Sequence, residues 1–162
     1  MPDCFTYFDP SSVESLQAAI HDLDEYITSQ ATPFLGIIGF SQGASLVASY
    51  LFWKRLCQST SLEPVIRCII MICPAVSADC RGNGRILNAE DDGIFIDVPT
   101  AVIYGSKDQD AKISLEFTKM CHPELCEILD HGGGHEVPRG GQITAQMARS
   151  IAATLSKVAY IQ

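Results

Sequence analysis

The chain has 162 residues, enough for a single domain that buries roughly 70% of the surface its unfolded form would expose, and its 47% apolar and 19% charged residues suit an ordinary globular protein. A net charge of −8 with scattered lysines and arginines leaves no concentrated basic face for nucleic acid, and the apolar stretches Leu46 to Trp53 and Val65 to Val76 are too short to span a bilayer. Seven cysteines without a C-x-x-C pair point to reduced thiols in a cytoplasmic protein rather than to a disulfide framework or a zinc site, and the acidic opening Met1-Pro2-Asp3-Cys4 lacks the marks of a secretory leader.

In chain order, Phe5, Tyr7 and Phe8 form an aromatic opening that should pack. Ser11 and Glu14 stand in capping-box register, and Val13, Leu16, Ile20, Leu23 and Ile27 follow at helical spacing, with Asp22, Asp24 and Glu25 on the watered side. Thr32-Pro33 ends that helix, and Phe34 to Ile38 then reads as a fully buried strand. A helix from Gln42 to Cys57 turns Ala44, Val47, Ala48, Leu51 and Phe52 inward. After a polar loop, Gln58 to Pro64, a nearly continuous apolar strand runs from Val65 to Cys73 and stops at Pro74. Residues 77–97 are irregular and read as a lid or a surface insertion. Pro99 to Tyr104 is a third strand, Ala111 to Cys121 a helix with Ile113, Phe117 and Met120 inward, and Leu125 to Leu129 a fourth strand. The last helix, Gln142 to Ala159, carries Ile143, Met147, Ile151, Leu155 and Val158 on one side. Apolar strands alternating with helices predict an α/β fold: one domain over 1–162, with a parallel sheet of about four strands and helices on both faces.

Ligands of such sheets bind beyond the carboxyl ends of the strands, and three chemically capable residues fall there. Gly39-Phe40-Ser41-Gln42-Gly43 has the G-x-S-x-G spacing of a nucleophile elbow, in which a serine sits on a strained turn between strand and helix. Serine needs a base to take its proton, and the base needs an acid to hold its tautomer. His135, in a glycine-rich turn, is the preferred base, with His131 as its rival. Asp108 is the preferred acid, with Asp110 as the alternative and helix capping as the purely structural use of Asp108. His21 and His122 have no such setting. The order Ser, Asp, His is that of the α/β-hydrolases, and the chemistry requires neither metal nor cofactor.

Three blocks, Gly39-Phe40-Ser41-Gln42-Gly43-Ala44, Tyr104-Gly105-Ser106-Lys107-Asp108 and His131-Gly132-Gly133-Gly134-His135-Glu136-Val137-Pro138-Arg139, resemble the motifs of the fungal-type serine hydrolase family, as does Tyr7-Phe8-Asp9-Pro10 before the elbow. The resemblance covers nearly the whole chain and implies a reduced α/β-hydrolase fold with Ser41 as nucleophile, Asp108 as acid and His135 as base. Proteins of this kind include esterases and the thioesterases that release products from fungal polyketide synthases. The family's pattern also includes an earlier strand with a His-Gly loop that donates to the oxyanion, which lies ahead of the point where this sequence starts.

The expectation is therefore a serine hydrolase acting on an ester or thioester, with the Gln42 N–H as oxyanion donor and Phe40, Cys73, Pro74, Ala75 and Val137 around the pocket. The Ala75-Val76 backbone or a second subunit would complete the oxyanion hole, and a homodimer would cover the open edge of the elbow strand. The alternatives are a pocket turned to isomerisation, cyclisation or carbon-carbon bond formation on a polyketide-like substrate, with His135 as acid-base group and Cys73 assisting, or a non-catalytic binding module or fragment.

Overall fold

The computed structural model describes residues 6–57 and 66–159. Phe5, the loop from Gln58 to Pro64 and Val65 lie outside these residues. The elements are α1 (Val13–Thr28), β1 (Gly36–Phe40), α2 (Gln42–Cys57), β2 (Cys68–Ile72), α3 (Ala89–Asp92), β3 (Thr100–Tyr104), α4 (Ala111–Thr118), β4 (Cys126–Asp130) and α5 (Gly141–Val158). The four strands form one parallel sheet in the order β1-β2-β3-β4. No helix among the described residues is long and apolar enough to cross a membrane.

Because the strands advance steadily in one direction, right-handed crossovers must all lie on the same face. The main core bears this out: Ile69, Met71 and Val102 meet Val47 and Ala48 of α2, Phe117 of α4, and Leu87, Phe95 and Ile96 from the β2–β3 connection. The neighbouring strand residues Ile70, Ile72, Ala101 and Ile103 point the other way, as strand alternation requires, and pack with Leu129 and with Met147 and Ile151 of α5. Residues 77–97, expected to be irregular, contribute Cys80, Leu87, Phe95 and Ile96 to the core and are tied by an Ala78–Ile86 bridge.

Several sequence expectations are corrected. Strand β1 is an edge strand, displaced two residues from Phe34–Ile38, and Ile38 is 68% exposed, because α5 covers β2, β3 and β4 but leaves the same face of β1 bare. The cap of α1 is Ser12, whose Oγ accepts from the Ser15 N–H at 3.1 Å, while Ser11 donates to Asp9. Asp24 is drawn from the watered side to Lys54 at 2.7 Å and to the Tyr50 hydroxyl at 3.0 Å. Helix α2 is buried all round from Ala44 to Tyr50, since α1 and the 77–79 segment cover the side away from the sheet, and the Ser49 hydroxyl accepts the Ala78 N–H there. Helix α4 stops at Thr118, and Cys121 instead forms a parallel bridge with Ile96. On α5 the inward residue is Thr154, not Leu155; its hydroxyl donates to the Ser150 carbonyl, so it is buried without an unpaired polar atom.

Candidate active site

The elbow forms as its spacing requires. Ser41 directly follows β1 with φ at 53°, a left-handed conformation rare for a residue with a side chain, while its N–H still donates to the Ile72 carbonyl at 3.0 Å. Gly39 permits this turn: a Cβ there would stand 2.8 Å from the Ala44 nitrogen. The Gln42 side chain anchors the entering chain, with Oε1 accepting from the Tyr7 N–H and Nε2 donating to the Phe8 carbonyl, both at 2.9 Å. Its backbone N–H, first in α2, has no acceptor within the helix and points from the positive end of the helix dipole.

The structure brings Ser41, His135 and Asp108 into one chain of hydrogen bonds. Ser41 Oγ lies 2.8 Å from His135 Nε2, and His135 Nδ1 lies 2.7 Å from Asp108 Oδ2. Burial pushes the Asp108 carboxyl up, but the Asp110 N–H and the His135 ring more than offset this and hold it below the ordinary carboxylate range. An ionised Asp108 can only accept, so Nδ1 carries the proton and Nε2 is left to accept the Ser41 O–H. Asp110, the rival acid, is the N-cap of α4, and His131 is not bonded to Ser41: its Nδ1 accepts the Gly133 N–H at 3.2 Å. The Phe40 ring packs tilted against His135, with centroids 5.2 Å apart.

A family model described as serine hydrolase (FSH1) matches residues 3–147. The chain belongs to this family. Within the curated relatives, the chain is 38% identical over 161 residues to esterase FPY3 of Fusarium mangiferae, an alignment covering 96% of this chain and 72% of that one. It is 31% identical over 136 residues to hydrolase phiM of Talaromyces stipitatus, covering 80% of this chain and about half, 53%, of phiM. Its fold is that of the α/β-hydrolase esterases: a fungal esterase of Rhizomucor miehei superposes with a TM-score of 0.61 at 16% identity, covering 96% of this chain and 62% of that one.

What holds Ser41, His135 and Asp108 together was only partly visible in the motifs. Asp130, not singled out from sequence, accepts from the Ser106 N–H at 2.9 Å and the Gly132 N–H at 2.7 Å, pinning the acid-bearing turn to the base-bearing turn. The Lys107 N–H adds a bond to the Gly133 carbonyl at 2.9 Å, and Gly105 is required because any Cβ would collide with the Gly133 and Gly134 carbonyls. The available signal was an aspartate at a strand end directly before His131-Gly132-Gly133.

Cys73 stands at the end of β2 with φ at 45°, its Sγ 3.7 Å from the Glu136 carbonyl and 3.9 Å from His131 Nε2. Burial pushes its thiol up, which favours the neutral form over the thiolate. The Cys73, Asp108 and His135 donor atoms lie within 4.8 Å of one another, a set that zinc can accept, but the short His135–Asp108 bond already engages two of them. Of the other expected pocket residues, Pro74 is buried and its carbonyl accepts from Ser114 Oγ at 3.2 Å, Ala75 lines an apolar cavity, and Val137 is exposed two residues beyond the base.

Proposed function

We propose that the protein is a carboxylic ester or thioester hydrolase working through an acyl-enzyme on Ser41. The observation that carries this is the continuous Ser41–His135–Asp108 relay, with spacings of 2.8 and 2.7 Å and the only accepting ring nitrogen facing the hydroxyl. His135 takes the Ser41 proton as Oγ bonds to the substrate carbonyl carbon, and Asp108 stabilises the imidazolium. The resulting oxyanion faces the Gln42 N–H at the start of α2. As the intermediate collapses, His135 returns the proton to the departing alcohol or thiol. Water, deprotonated in turn by His135, then releases the acid and restores Ser41.

A lone oxyanion donor leaves roughly 10²- to 10³-fold of rate to be supplied by a second. The Ala75-Val76 backbone, following the end of β2 beside the elbow, is our candidate for that donor. Release of polyketide products from thioester carriers is a finer form of the same reading; it is supported by the fact that oxygen and sulfur esters pass through the same acyl-enzyme steps and by the family resemblance.

The test is intact-mass spectrometry after treatment with a fluorophosphonate. One adduct on the parent chain, absent from Ser41→Ala and His135→Ala, is expected. A folded parent that takes up no adduct would overturn the acyl-enzyme.

A further inference from the structure

We infer that Cys73 is a positioning residue: its buried sulfur is the seat of the loop that carries His135, and so it sets the reach of the base to Ser41. The kinetic consequence rests on the acyl-enzyme reading of Ser41, whereas the seat itself does not. Cys73 directly follows β2 with φ at 45°, and among the described residues Ser41 is the one other non-glycine residue with a positive φ. The two stand side by side. Phe40 and Ile72 are register partners in β1 and β2, the Ser41 N–H donates to the Ile72 carbonyl at 3.0 Å, and the Cys73 N–H donates to the Ile103 carbonyl at 2.8 Å. The sheet therefore fixes where the sulfur-bearing residue stands relative to the nucleophile. A side chain held at positive φ costs stability, and such residues persist where the surrounding structure holds them, often at functional sites.

The surroundings of the sulfur show what it holds. Its Sγ lies 3.7 Å from the Glu136 carbonyl and 4.0 Å from the Gly134 carbonyl, the backbone acceptors on either side of His135. That loop lies outside any strand or helix, and the Glu136 N–H closes it on the Gly134 carbonyl at 3.1 Å with His135 at the apex. A neutral thiol has one proton to give, and the shorter contact directs it to Glu136. The Sγ also lies 3.9 Å from His131 Nε2. Since His131 Nδ1 accepts the Gly133 N–H, its proton is on Nε2 and faces the sulfur. His131 is itself fixed at the end of β4, where its N–H donates to the Tyr104 carbonyl at 2.8 Å. The series from His131 through Cys73 to the Glu136 carbonyl ties the base loop to the sheet, and the Asp108 and His135 donor atoms lie within 4.8 Å of the sulfur. His131, the rival base, becomes a support. An alanine methyl at position 73 would bring these carbonyls no proton and a glycine no contact, whereas a serine hydroxyl keeps a donor on a shorter arm.

The test compares Cys73→Ser, Cys73→Ala and Cys73→Gly with the parent in p-nitrophenyl acetate hydrolysis, in the rate of fluorophosphonate adduct formation and in urea unfolding. A misplacement of about 1 Å costs up to roughly 10²-fold in rate, so kcat and the adduct rate should fall at least about tenfold in Cys73→Ala and Cys73→Gly with KM little changed, and Cys73→Ser should recover most of the loss. Glycine relieves the positive φ, so Cys73→Gly should be no less stable than Cys73→Ala and yet no more active; it also serves if the alanine variant fails to fold. Activity that follows stability across the variants, a change in KM alone, or full activity in Cys73→Gly would overturn the seat. If the parent neither hydrolyses the ester nor takes up the adduct, the readout is the far-downfield proton resonance of His135 Nδ1–H in its 2.7 Å bond to Asp108, identified by its absence from His135→Ala. Its loss from Cys73→Gly and retention in Cys73→Ser would uphold the seat while the hydrolase reading falls. A parent that lacks the resonance, or a resonance unchanged in Cys73→Gly, would overturn the seat.

Discussion

The left-handed backbone of Ser41 should be measurable as stored strain. Replacing Ser41 by alanine or by glycine removes the hydroxyl and its 2.8 Å bond to His135 equally, so that loss cancels between the two variants. What differs is the Cβ at φ 53°, which costs about 1–2 kcal/mol in the left-handed region. Glycine gives back about 0.4–1 kcal/mol of this through its freer unfolded chain. The balance leaves Ser41→Gly more stable than Ser41→Ala by about 0.8 kcal/mol. With a urea dependence of roughly 1–3 kcal/mol per molar for a small domain, the unfolding midpoint should lie about 0.3–0.8 M higher for the glycine variant. Equilibrium urea unfolding followed by far-ultraviolet circular dichroism reads this directly. An alanine variant equal to or more stable than the glycine variant would refute the idea that the elbow holds its serine under strain.

Asp130→Ala releases the Ser106 and Gly132 N–H groups that hold the acid and base turns together, so kcat should fall about tenfold with little change in KM, and Asp130→Asn, which keeps an acceptor oxygen, should recover most of it. A raised KM at constant kcat would contradict this positioning role. The folded-state carboxyl of Asp108 lies below its ordinary value of 3.8, so its contribution to stability is complete above that pH and is lost as pH falls through the lower folded value. Urea midpoints measured down to pH 3 should therefore drop more steeply for the parent than for Asp108→Asn; parallel curves would refute the assignment. The outer edge of β1 has no strand partner among the described residues, and Ile38 within it and Leu35 just before it are exposed, so we expect two copies to associate through it. Sedimentation velocity at micromolar concentration should show a dimer that Ile38→Lys dissociates, and a monodisperse monomeric parent would dismiss that interface.

Much of the site was readable because its signals are local. The glycines around Ser41 are legible as a turn requirement, and Gly39 does stand where a Cβ would strike Ala44. The preference for Asp108 over Asp110 and for His135 over His131 rests on turn positions at strand ends, and the structure brings Asp108 and His135 into hydrogen-bond reach of one another and His135 into reach of Ser41. Asp130 escaped notice because its partner Ser106 lies 24 residues away, and no pattern within one segment reveals that two turns share an acceptor. Leu155 was assigned inward on helical spacing alone, although Thr154 fills that place with its hydroxyl returned to its own helix.

By itself, then, the sequence determined the order of strands and helices and the parallel sheet, and it put Ser41, Asp108 and His135 just past the ends of strands, because hydrophobic period, turn glycines and position at a strand end are all properties of short segments. Only the tertiary structure decided that β1 is an edge strand with Ile38 bare, that Cys73 packs against the turn bearing the base, and that a cavity opens between the end of β2 and α4. Those outcomes depend on which elements cover which face of the sheet, and that is settled by packing between segments far apart in the chain.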